Sequence, residues 1–147
     1  MANNYDTTTK FKVDISDLKK AMQDAKRSIS LANSEFKAIS SSMDKWGTSS
    51  DGLKAKLKQL DSNLKSQKTI LSSLEDQYEL TAEQMGEDSA EAERLKIAIN
   101  NQKSVVNNTE KEISKYEESL VQVSEAEEIA GKTGKDVSEV LDDMDRE

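Results

Sequence analysis

The sequence predicts an all-α protein built of long heptad-patterned helices: an antiparallel coiled-coil hairpin, a helix preceding it, and one short N-terminal strand. Three observations lead there. From Leu53 to Met85 the residues Leu53, Leu57, Leu60, Leu64, Gln67, Leu71, Leu74, Tyr78, Thr81 and Met85 follow one another at alternating steps of four and three, the ~3.5-residue repeat of a coiled-coil helix. Only 34% of the 147 residues are apolar, 34% are charged and none is Pro, which suits narrow helical seams better than a broad core. The five glycines, at 47, 52, 86, 131 and 134, all fall at predicted helix ends.

The regular stretch organises the rest. At ~1.5 Å of rise per residue it makes a helix about 50 Å long, and its flanks (Lys54, Lys56, Lys58, Asp61, Lys65, Glu75, Asp76) leave only a narrow apolar stripe. Such a helix needs a partner.

Taken in order, residues 1–15 form an N-terminal tail and short strand, since Phe11, Val13 and Ile15 alternate with Lys10, Lys12 and Asp14. One strand cannot make a sheet, so it concerns partners more than chemistry. Residues 16–46 form a first heptad helix, capped by Ser16, with the stripe Ile15, Leu18, Met22, Ala25, Ile29, Ala32, Phe36, Ile39, Met43 and Trp46. Gly47 suits its end. The positions beside this stripe are mostly polar, so it must be buried on the hairpin or against other copies; its narrowness favours a homo-oligomer through the first helix.

Residues 53–128 form the hairpin. Gly86 stops its first arm, and Asp88 with Glu91 makes a capping box for the second. That arm carries Ala92, Leu95, Ile99, Gln102, Val106, Thr109, Ile113, Tyr116, Leu120 and Val123. A connection this short folds it back on its predecessor, setting Leu57 against Tyr116, Leu60 against Ile113, Leu74 against Ile99 and Tyr78 against Leu95. Gln67, Gln102 and Thr109 interrupt the seam with polar layers that weaken the pairing; they are either simply tolerated there or they favour one register or leave the hairpin dynamic. Gly131 and Gly134 break the pattern, and residues 132–147 read as the start of a further, incomplete helical segment holding Val137, Val140, Leu141 and Met144.

Composition speaks against an enzyme. With no His and no Cys, the chain lacks the commonest general base and metal ligand and any thiol. No two carboxylates are placed in a shared apolar pocket, where one pKa could rise. Ala126–Thr133 (AEEIAGKT) formally fits a loose phosphate-loop pattern, but a helix precedes it where a buried strand is needed, and Glu127 and Glu128 repel phosphate. Asp142, Asp143 and Asp145 lack the Gly and terminal Glu of a calcium loop. The expectation is therefore no catalytic, cofactor-binding or metal-binding residues, no cofactor and no small-molecule substrate. Residues 1–60 hold 11 Lys and Arg against 7 Asp and Glu, net +4, and residues 61–147 hold 10 against 22, net −12. A chain this acidic is not expected to read nucleic acid directly, despite the local cluster Lys19, Lys20, Lys26 and Arg27. No apolar run reaches the ~18 residues of a membrane span, and no secretory leader pattern is present.

Taken together, FKVDISDLKKAMQDAKRSISLANSEFKAISSSMDKW, SSDGLKAKLKQLDSNLKSQKTILSSLEDQYE and SAEAERLKIAINNQKSVVNNTEKEISKYEESL resemble the N-terminal region of tail tape measure proteins from long-tailed phages and prophages of Gram-positive bacteria, over roughly residues 9–122. The resemblance lies in helical wording, with no catalytic motif. It implies a structural coiled-coil tape measure that occupies the lumen of the virion tail and sets tail length, made in the bacterial host cytoplasm during assembly, with tail tube, tail assembly chaperone and distal tail proteins as partners. Members of that family are several times longer than this chain, so the resemblance implies a fragment. The chain is also similar in style to the secreted helical hairpins of type VII secretion, but Trp46 is followed directly by Gly47 where that family has Trp-X-Gly, and Tyr78 and Tyr116 lead to Ala82 and Leu120 where its export signal has an acid. A generic bacterial coiled-coil adaptor is the remaining alternative.

Overall fold

The computed structural model describes residues 15–145. They form α1 (Ser16–Ser40), a 3-10 turn (Trp46–Thr48), α2 (Ser50–Met85), α3 (Ala90–Thr133) and α4 (Val137–Asp145). The protein is all-α, and no strand occurs among the described residues. The expected strand lies outside them except for Ile15, which precedes α1 without regular structure and is 41% exposed.

The first helix ends at Ser40, six residues before the expected Trp46. Three consecutive serines are the cause. The hydroxyls of Ser40, Ser41 and Ser42 donate to the carbonyls of Lys37, Ala38 and Ile39 at 3.4, 3.0 and 2.8 Å. Meanwhile the N–H groups of Ser42 and Met43 tighten to the residues three before them, Ile39 and Ser40. Serine side chains that compete for helix carbonyls in this way are good terminators.

α2 starts at Ser50, three residues earlier than its leucine stripe requires, because Ser49 caps it: its Oγ accepts the Gly52 N–H at 3.3 Å and its carbonyl accepts the Leu53 N–H at 2.9 Å. Gly86 ends the helix at φ 97°, a left-handed conformation that only glycine adopts without strain. The N-cap of α3 is Ser89 and not the expected Asp88. Its Oγ accepts the Ala92 N–H at 3.1 Å. α3 continues through Gly131 to Thr133 and stops at Gly134, φ 75°, so Gly131 does not mark an end as the pattern suggested. The last turn has something to pack on: Val140 of α4 is buried, and with Met144 it faces Ile129 and Thr133 across a shallow groove.

The chain divides into two compact units. The first joins the described residues through Ile29 to Leu64–Asn108; the second joins Ser30–Asn63 to the described residues from Thr109 on. In the first, Leu18 and Ala25 of α1, Ile70 and Leu74 of α2 and Ile99 of α3 make one buried cluster, with Met22, Leu71, Tyr78 and Leu95 packed against it. In the second, Leu53, Leu60, Ile113, Val123, Ala126 and Val140 are buried.

Candidate functional site

What these helices present is a set of contact surfaces. The first-helix residues expected to self-associate are unevenly covered within the single chain. Leu18 is buried, Met22, Ile29, Phe36, Met43 and Trp46 are half-buried, and Ile15 and Ile39 are exposed at 41% and 43%. Of the two covers that the stripe could have, α1 uses its own chain: Leu18, Met22 and Ala25 lie on residues of α2 and α3. Small residues at 25 and 32 let the backbones come close.

Of the residues expected to form the hairpin seam, Leu53, Leu60, Leu74, Ile99, Val106 and Ile113 are buried, and Leu57, Leu64, Leu71, Tyr78, Leu95, Tyr116 and Leu120 are half-buried. The polar layers are used as well. In the first unit the side-chain amide of Gln102 donates to the main-chain carbonyl of Gln67 at 3.0 Å, while Gln67 Oε1 is buried without a partner. Thr81 and Thr109 are buried.

Three features were not expected. The first is a second buried stripe on α2, made of Asn63, Ser66, Ile70 and Gln77. In the second unit Asn33 of α1 meets it, its Oδ1 accepting from Gln59 Nε2 at 2.7 Å and from Asn63 Nδ2 at 3.0 Å. Only Ile70, an apolar residue off the leucine stripe, signalled it.

The second feature is an aromatic node. Phe36 and Trp46 meet edge to face with centroids 5.0 Å apart, and Trp46 lies 5.8 Å from Tyr116. The ammonium of Lys56 stands 4.8, 5.8 and 5.9 Å from the centroids of Phe36, Trp46 and Tyr116, within cation–π range of all three. Lys56 reads as a solvated flank in the sequence, whereas here it ties the Trp46 turn to α1, α2 and α3.

The third is a carboxylate on a helix end. Glu127 of α3 accepts the Ser50 N–H at 2.9 Å through Oε1 and the Ser50 hydroxyl at 2.8 Å through Oε2. A negative charge at the start of α2 satisfies an otherwise unpaired N–H and opposes the positive end of the helix dipole. The pairing spans 77 positions and leaves no trace in the heptad pattern.

Among the described residues no group of three or more His, Cys, Asp or Glu could hold a metal ion, and no helix is long and apolar enough to cross a membrane. No family model, curated protein or solved structure matches the chain.

Proposed function

We propose that this chain is a structural coiled-coil segment of a phage tail tape measure protein, occupying the tail lumen during assembly and contributing helical length to the ruler. The observation that carries the reading is the length of two helices, 36 and 44 residues, each with buried residues spread along it; such extended surfaces suit a rod. α2 and α3 pair as an antiparallel coiled coil in this reading. Its support is that contacts fall along α3 as they rise along α2, Ser50 with Glu127 and Lys56 with Tyr116 in the second unit. The resemblance of residues 9–122 to such proteins supplies the biological setting, and with it the tail tube, the assembly chaperone and the distal tail as partners.

The test is tail length. Removing two heptads from α2 and two from α3, in register, shortens the paired rod by about 14 residues of helical rise and should shorten tails by about 21 Å at 1.5 Å per residue, measured on purified tails by electron microscopy. Tails of unchanged length that still assemble would refute the ruler. The chain should also be recovered with tails before DNA ejection and lost after it.

A further inference from the structure

Four side chains of the second unit meet at one point: Phe36 from α1, Trp46 from the 3-10 turn, Lys56 from α2 and Tyr116 from α3. The chain carries 29 Asp and Glu, yet the Lys56 ammonium faces rings. It stands over all three, 4.8 Å from the centroid of Phe36, 5.8 Å from Trp46 and 5.9 Å from Tyr116, and among the described residues no carboxylate pairs with it. The rings are held by contacts of their own. Phe36 packs edge to face on Trp46, and Tyr116 is inclined to Trp46 by 46°. The turn that carries Trp46 is fixed as well: the Thr48 N–H and Oγ1 donate to the Lys45 carbonyl at 3.1 and 3.0 Å, the Ser49 N–H donates to the Trp46 carbonyl at 3.3 Å, and Trp46 lies so close to Gly52 of α2 that no Cβ fits there. All four residues of the node are half-buried, so water reaches it.

We propose that Phe36, Trp46 and Tyr116 form a receptor for an organic ammonium, and that Lys56 is the ligand the chain itself supplies. Aromatic faces converging on one cation are the arrangement that recognises alkylated ammonium groups. The charge of Lys56, beyond the packing of its aliphatic stem, then holds the Trp46 turn to the three helices. The chemical state of Nζ governs that junction: an N-methyl group keeps the charge and the receptor stays filled, whereas an acyl group removes the charge and with it the cation–π contact.

The native chain gives the first readout, since ring currents from three faces should carry the Lys56 ε-methylene protons upfield of the bulk of the lysines in the NMR spectrum. Lys56→Met keeps the stem and drops the charge; it should lower the melting temperature by about 3–6 °C, whereas Lys56→Arg, still cationic, should melt close to the native chain. Lys56→Ala clears the rings for tetramethylammonium. That ion should bind K56A with a Kd on the order of 10 mM, detected by saturation transfer from ring protons to its methyl signal, and should raise the melting temperature above what sodium chloride gives at equal ionic strength. The native chain, its receptor already filled, should bind the ion at least about tenfold more weakly, and neutral tert-butanol should have neither effect on K56A. A K56M chain that melts with the native one overturns the proposal, because packing alone would then hold the node. So do Lys56 protons that resonate with the other lysines, and so does a helical K56A that responds to tetramethylammonium no more than to sodium chloride.

Discussion

A Cβ at Gly52 would lie 2.8 Å from both Cα and Cβ of Trp46, and closer still to its carbonyl oxygen. Backbone atoms cannot yield as the end of a flexible side chain can, so the Trp46 turn sits against α2 only because residue 52 has no side chain. Gly52→Ala should therefore cost about 1–3 kcal/mol through overpacking, even though alanine is the better helix former; a melt showing stabilisation would mean that the turn stands off from α2. Glu127 carries a different burden. Glu127→Gln keeps the shape and one acceptor but removes the charge from the start of α2, and should cost about 1 kcal/mol, read from urea denaturation. Neither effect is visible from residue type alone, because both depend on a neighbour brought in by folding.

On the scale of a helix, burial and not charge sets what each element is worth. Leu60 is 5% exposed, whereas Lys58 beside it is exposed. Leu60→Ala should cost about 2–4 kcal/mol and Lys58→Ala less than about 0.5; equal shifts in thermal melts would mean that α2 has no defined buried stripe. The leucine stripe was legible because a side chain that must leave water marks its spacing in the sequence. The second stripe of α2 was not: Asn63, Ser66 and Gln77 are buried yet carry side chains that a periodicity argument assigns to solvent. The end of α1 escaped for a related reason. Met43 and Trp46 continue the apolar spacing beyond Ser40, so the pattern carries on where hydrogen bonding from the serine hydroxyls has already stopped the helix.

For the whole molecule, the net charge of −8 is a source of self-repulsion that salt relieves. The surface ion pairs do little to offset it: Arg27 with Asp24 at 3.8 Å and Lys132 with Glu128 at 3.2 Å are both exposed, the kind that contributes least. Raising sodium chloride from about 20 to about 200 mM should raise the melting temperature; a fall would mean that attraction between surface charges outweighs repulsion. The heptad stripes made the all-α class legible from the outset, whereas the division into two units was not, since α1, α2 and α3 each contribute to both and no break in composition marks the boundary. The aromatic node bears on that division in a practical way. Trp46 is the single tryptophan of the chain and lies in the second unit, while Tyr78 lies in the first. Its emission is thus a built-in optical reporter for one unit, without any dye or label, and circular dichroism reads both. A shared midpoint for the two signals would mark a single cooperative transition, and separate midpoints two independently melting bodies.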